Sequence, residues 1–165
     1  PDKCIKIIPN WADGQKIVPV WESQHSLRKK LKLRDVYTAM FAGNMGIAQE
    51  IDVLIELVKR FSNRTDIQFL FMGGGVRRTD LEEAVTKQQN VRFLDYQPRS
   101  CLSSYLGLAD IGIVTLSPRL EGLAIPTKTY SYLAAGIPIL AIACQNTEFN
   151  MFSDLGLGLH FAPAP

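Results

Sequence analysis

The chain has 165 residues, 47% of them apolar and 21% charged, with a formal net charge of +2. That length is enough to bury a core as one domain, or one with a small addition, and the even balance of charge argues against a dedicated nucleic-acid binder. No run of about 18 apolar residues is present to span a bilayer, and no signal peptide precedes the first apolar segment.

In chain order, Cys4–Ile8 reads as a first strand. Residues 9–35 form the one long irregular stretch, with a helix near residues 23–31. The basic run Arg28-Lys29-Lys30-Leu31-Lys32-Leu33-Arg34 is expected to coat a solvated helix. Val36–Ala42 is a strand, followed by a helix over Gln49–Phe61 in which Ile51, Leu54, Ile55, Val58 and Phe61 share one stripe. Ile67–Met72 is the next strand, Thr79–Lys87 a helix, and Val91–Leu94 a short strand. Ser100–Leu108 then reads as a helix packing through Leu102, Tyr105, Leu106 and Ala109. Strand Ile111–Leu116, helix Thr127–Ala135, strand Pro138–Ala143, helix Glu148–Leu155 and a last strand Gly158–Phe161 complete the series. Continuous apolar strands alternating with helices of this length imply an α/β domain, a Rossmann-like parallel sheet with helices on both faces. The chain opens at Pro1 already entering a strand and closes at Pro165 just past another, which reads as a piece cut from something longer.

Three loops follow strand ends on what should be one edge of the sheet. The first, Ala42–Gln49, carries Gly43, Asn44 and Gly46, and glycines there let a backbone approach a ligand closely or simply make a tight turn. The second, Met72–Arg78, holds Gly73-Gly74-Gly75 followed by Arg77 and Arg78, either of which could reach a phosphate or stay solvated. The third leads from Ser117 through Glu121, Gly122, Leu123, Ala124 and Pro126 to Thr127 and Lys128 at a helix start. A plain turn favours Asn, Asp or Ser, so a glutamate beside a glycine in that position points to a ligand. Bare backbone N–H groups, a hydroxyl and a cation together suit a phosphate, with Glu121 gripping something polyhydroxylated beside it.

Other chemistry finds little support. Cys4, Cys101 and Cys144 are odd in number and far apart, and read as small core residues in a reducing compartment. His25 and His160 lie outside the three loops and read as surface or packing residues. No zinc-protease helix, nucleophile elbow, P-loop or Asp-x-Asp pair is present, so no metal site is expected and a bound diphosphate must be neutralised by backbone dipoles and cations.

Five further segments keep a fixed order: Ile8–Asp13, Phe41–Gly46, Phe69–Gly75, Val91–Tyr96 and Leu108–Asp110. With the Glu121 loop they resemble, over nearly the entire chain, the C-terminal donor-binding half of the retaining two-Rossmann (GT-B) glycosyltransferases of the group 1, or family 4, set. The Pro126-Thr127-Lys128 variant with Gly43-Asn44-Met45-Gly46 is similar to a subgroup of bacterial exopolysaccharide and O-antigen transferases, including the colanic-acid type. The chain departs from the family in two ways. The usual phosphate-gripping Arg and Lys of the first loop fall at Asn44 and Gln49, and the second of the family's paired glutamates falls at Ser131.

The resemblance implies that residues 1–165 are a nucleotide-sugar-binding domain whose acceptor-binding N-terminal partner is absent. The donor would be a nucleoside-diphosphate sugar, UDP-linked, and no separate cofactor is implied. Transfer would retain anomeric configuration, need no metal, and deliver the sugar to a polysaccharide or lipid-linked acceptor. A cytoplasmic protein is implied, at the inner face of the membrane or peripherally associated with it. Glu121 and Lys128 would be the catalytic residues. Gly43, Asn44, Gly46, Gln49, Gly74, Arg77, Tyr96, Gly122, Leu123, Ala124, Thr127 and Ser131 would border the donor, with N–H groups around Leu123–Ile125 facing the diphosphate. Two other readings stay open: a non-catalytic binding or interaction module that kept the fold, which the missing second glutamate favours, and a sugar-nucleotide 2-epimerase, which the position of the histidines disfavours.

Overall fold

Among the described residues of the computed structural model (6, 8, 10–20, 24–120, 122–144 and 147–163), six apolar segments become strands. They are β1 (Tyr37–Ala42), β2 (Ile67–Met72), β3 (Val91–Leu94), β4 (Ile111–Thr115), β5 (Ile139–Ile142) and β6 (Gly158–Phe161). All pair in parallel, in the order β3-β2-β1-β4-β5-β6. The connections contain α2 (Ile51–Arg60), α3 (Arg78–Ala84), α4 (Leu102–Leu106), α5 (Lys128–Ala134) and α6 (Thr147–Asp154), and α1 (Gln24–Lys30) precedes the sheet. Parallel neighbours require such crossovers, so the sheet is covered on both sides and its strands are apolar on both.

Successive strand residues point to opposite faces, and β1 feeds two cores as a result. Ala39 and Phe41 join α2, α3 and their strands through Ile51, Leu54, Val58 and Leu81, all four fully buried. Met40 and Ala42 join the opposite core with Leu106, Tyr132, Phe149 and Phe152. The stripe expected along α2 is what the structure buries, except that Phe61 is half-buried just beyond the helix end. Asp52 in the first turn and Lys59 and Arg60 in the last also suit the helix dipole.

Element ends move by one to three residues from the sequence expectation, as fraying ends do. The strand expected over Cys4–Ile8 lies mainly outside the described residues, as does Cys4. Two expectations are corrected. Cys101 is exposed and Cys144 half-buried, so neither is a small core residue: Cys101 sits on the outer side of a 3-10 turn over Arg99–Cys101. The basic run is not simply a solvated face either. Arg28 is folded inward, its guanidinium donating to the Leu108 carbonyl at 2.9 Å, to Thr38 Oγ1 at 3.0 Å and to the Arg34 carbonyl at 3.1 Å. Arg34 donates to the Ile67 carbonyl at 3.0 Å, and its own backbone is held by Gln68. Carbonyls at the amino edge of the sheet need donors, and these two arginines supply them.

Candidate functional site

The strand order reverses between β1 and β4, so the connections leaving these two strands run to opposite faces and a crevice opens between them at their carboxyl ends. Tyr132 holds it open. On the side of β1 that faces β4, Asp110 N donates to the Thr38 carbonyl at 2.9 Å, and pairing continues through Ala39–Ile111 and Met40–Gly112. Beyond that point the Tyr132 hydroxyl takes the place of a ladder partner, donating to the Met40 carbonyl at 2.9 Å and accepting from the Ala42 N–H at 2.7 Å. Only glycine at 112 admits the ring, since a Cβ there would lie 2.4 Å from it. Burial pushes the phenol pKa up, so it stays a donor. Sequence reasoning missed Tyr132, whose only signal was an aromatic at the centre of a short helix facing a strand glycine.

The crevice measures about 530 Å³ and is lined by Gly43, Asn44 and Gln49 of the first loop, Tyr96, Gln97 and Arg99 after β3, Leu102 and Leu106 of α4, and Thr127, Lys128, Ser131 and Tyr132. Six of the fourteen expected site residues (Gly43, Asn44, Gln49, Thr127, Lys128 and Ser131) are therefore gathered from the first loop and the start of α5, on either side of the switch point, and Tyr96 joins them from the segment after β3. Gly46 and Gly74 stand behind this lining.

Lys128 is one helical turn before Tyr132, so the wedge fixes its direction as well. Its Nζ sits 3.3 Å from the centroid of the Phe41 ring and 3.2 Å from Gln49 Oε1. Thr115 Oγ1 approaches the same Gln49 oxygen at 3.5 Å. Among the described residues no carboxylate pairs with this ammonium, and burial pushes its pKa well below the ordinary lysine value. A desolvated amine with no carboxylate partner among the described residues is held at the floor of a crevice, where an entering anion would meet it and favour its protonated form.

Gly73 and Gly75 serve the contact between the first two loops. Gly43 N donates to the Met72 carbonyl at 2.8 Å, Met45 N to the Gly74 carbonyl at 2.7 Å, and Arg77 N to the Met45 carbonyl at 3.0 Å. A Cβ at Gly73 would lie 2.1 Å from the Gly43 oxygen, and one at Gly75 2.5 Å from the Met45 oxygen, while both residues have positive φ (132° and 139°). Close approach of two backbones, rather than of backbone to ligand, is what excludes side chains there. Two N–H groups of the first loop, those of Gly43 and Met45, are already used. Arg77 is also engaged: it makes a bidentate pair with Asp52, both contacts 3.0 Å, and a third contact with Asp80 at 3.0 Å. It is turned toward α2 and α3 and does not line the crevice: its guanidinium is held by two nearby carboxylates.

The third loop is less closely drawn together. Glu121 lies outside the described residues. Gly122, Leu123 and Ala124 are exposed and stand away from the crevice lining, and Leu123 N–H is donated to the Leu120 carbonyl at 3.0 Å. A turn closed by that bond, just after the 3-10 turn over Pro118–Leu120, uses one of the donors the resemblance had assigned to a ligand. The start of the loop is tied to the first loop by Ser117 N donating to the Ala48 carbonyl at 3.1 Å. Ser131 Oγ makes only a long contact, 3.4 Å, with the Thr127 carbonyl, and Gln97 Nε2 donates to the Asp95 carbonyl at 2.9 Å. The ring of Tyr96 borders the crevice with its hydroxyl 3.4 Å from the Gly74 carbonyl, and Tyr96 is 62% exposed. Among the described residues no three or more of His, Cys, Asp and Glu gather into a metal-binding group, and no helix is long and apolar enough to cross a membrane. His160 packs against Phe149 and contacts Asn150 and the Ala143 carbonyl, away from the crevice.

The family described as glycosyl transferases group 1 matches residues 37–154, a span that holds β1 through α6 and every residue lining the crevice. Among curated proteins the chain is similar to a probable glycosyltransferase, WbjE, of Pseudomonas aeruginosa, with 26% identity over 164 residues, 98% of this chain and 41% of that protein. Among solved structures it is similar to HepE of Anabaena in complex with UDP and glucose, at a TM-score of 0.70 and 15% identity over 96% of this chain and 43% of that one. It is also similar to the C-terminal domain of a glycosyl transferase group 1 family protein, LpcC, of Francisella tularensis, at a TM-score of 0.63 and 16% identity over 88% of this chain and 90% of that domain. The chain thus spans about two fifths of WbjE and of HepE. At these identities the likeness to solved structures is one of fold.

Proposed function

The chain belongs to the group 1 glycosyl transferases, and from that membership we propose that it is the donor-binding, C-terminal half of a two-domain enzyme that moves a sugar from a nucleoside diphosphate to a polysaccharide or lipid-linked acceptor. One observation carries the reading: Lys128, half-buried as a residue but with its amine desolvated and without a carboxylate partner among the described residues, at the floor of the crevice where the sheet order reverses. In a low-dielectric cleft such a cation stabilises the charge that develops on a departing diphosphate, and it does so without reorganising at the moment of reaction. Thr127 and the Gly43 loop border the same anion. Tyr96 offers a ring to the nucleoside, and Glu121 holds hydroxyls of the sugar, orienting its anomeric carbon. HepE was crystallised with UDP and glucose, which supports a UDP-linked donor here. Transfer proceeds with retention and without a metal, the acceptor is bound by an N-terminal domain, and the whole protein works at the cytoplasmic face of the membrane.

Calorimetry with UDP, GDP and their sugars tests the proposal. One nucleoside diphosphate is preferred, and Glu121→Ala weakens its sugar derivative more than the bare nucleotide. Residues 1–165 alone turn over no donor. Absence of binding to every nucleotide would favour an interaction module and refute the donor-site reading.

A further inference from the structure

Gln49 occupies a position where the resemblance implies a cation that grips phosphate, yet its side chain is already committed. Its Oε1 accepts from Lys128 Nζ at 3.2 Å and lies 3.5 Å from Thr115 Oγ1, while the ammonium rests 3.3 Å from the Phe41 centroid. The ammonium therefore has two anchors, Gln49 of the first loop and Phe41 of β1, and Thr115 at the end of β4 touches Gln49 rather than the lysine. Both anchors are electrically neutral: an amide oxygen and the negative face of an aromatic ring. A carboxylate at 49 would hold the lysine equally well but would cancel its charge before any ligand arrived. An aliphatic residue there would leave the ammonium without its acceptor.

We propose that Gln49 is a positioning residue: together with the face of Phe41 it aims the Lys128 ammonium into the crevice and keeps its charge uncancelled, and it acts on an entering diphosphate only through that lysine. This rests on the donor-binding reading above. It differs from the expectation for Gln49, which made it a direct ligand. The other titratable or charged groups lining the crevice are Tyr96 and Arg99 after β3 and Tyr132 on α5; among the described residues none is a carboxylate.

A double-mutant cycle on the 165-residue chain, read by UDP calorimetry, tests the proposal. Gln49→Ala weakens UDP binding several-fold in the wild-type background and has no further effect in a Lys128→Met background. Additive losses would mean that Gln49 touches the diphosphate itself, and would overturn the inference. A second measurement needs no nucleotide. In Gln49→Glu, the Lys128 pKa followed by NMR on isotope-labelled lysine rises, because the ammonium gains a counter-ion in a desolvated site. An unchanged Lys128 titration in that variant would also overturn the proposal, because it would separate Gln49 from the lysine. If wild-type chain bound no UDP, the donor-binding reading would fail, and the titration alone would decide whether Gln49 governs Lys128.

Discussion

Replacing Lys128 by methionine should move affinity and stability in different directions, as the trade-off between stability and function at desolvated sites leads one to expect. The two side chains have similar reach, so the perturbation is mainly one of charge. What the free protein loses is one hydrogen bond to Gln49 at 3.2 Å and one cation–π contact at 3.3 Å, together about 2 kcal/mol. What it recovers is the cost of keeping an ammonium out of water, several kcal/mol for a buried ion. The lowered pKa says that the second quantity is the larger. Stability is therefore unchanged or raised by roughly 1 kcal/mol, a gain of about 2–4 °C in Tm for a domain of this size. Binding of UDP loses one charge-assisted hydrogen bond of about 1.5–3 kcal/mol, which is a roughly ten- to 150-fold weaker Kd. The sign of the pH dependence follows from the same shift. Between the folded pKa of Lys128 and its ordinary 10.5, the native state binds fewer protons than the unfolded one, so wild-type stability rises with pH there. Any advantage of Lys128→Met is full below that window and closes as pH rises through it. Calorimetry and thermal melts across pH check both arms. Unchanged UDP affinity, or a loss of stability greater than about 1 kcal/mol at neutral pH, would refute the reasoning.

Three further outcomes are expected. Tyr132→Phe leaves the buried Ala42 N–H and Met40 carbonyl without their partner and costs roughly 2–4 kcal/mol in urea unfolding; a cost below about 0.5 kcal/mol would mean that the hydroxyl does not substitute for a strand. Gly73→Ala combines a φ of 132° with a Cβ 2.1 Å from the Gly43 oxygen and should cost more than about 2 kcal/mol, whereas Gly122→Ala, with φ 68° and nothing within 4 Å, costs about 1 kcal/mol; denaturation midpoints compare the two directly. Arg77→Ala removes a partly exposed ion pair with Asp52 and Asp80, changing stability by at most about 1 kcal/mol and UDP affinity by less than about twofold; a tenfold loss of affinity would return Arg77 to the site.

The strands, the alternation with helices and the carboxyl-edge loops were determined by the sequence alone, because apolar runs and the 3.6-residue stripe of Ile51, Leu54, Ile55 and Val58 are local signals. The same holds for Gly43, Gln49, Thr127, Lys128 and Ser131, which a strand-to-helix loop must carry to one edge of a parallel sheet. Only the tertiary structure decided how those loops are used. Arg77 reads in the sequence as a residue that could reach a phosphate or stay solvated, and the fold sets Asp52, 25 residues away, beside it. Arg28 looked solvated until the Leu108 carbonyl, 80 residues away, took its guanidinium. The glycine triplet signalled some tight geometry, and the fold showed which: at Gly73 and Gly75 two backbones touch. Tyr132 gave almost no sign that it would replace a strand partner for Ala42, 90 residues away. Periodicity fixes which way a residue points within its own element, but hydrogen-bond partners and counter-ions are settled by which elements become neighbours, and that is a property of the folded sheet.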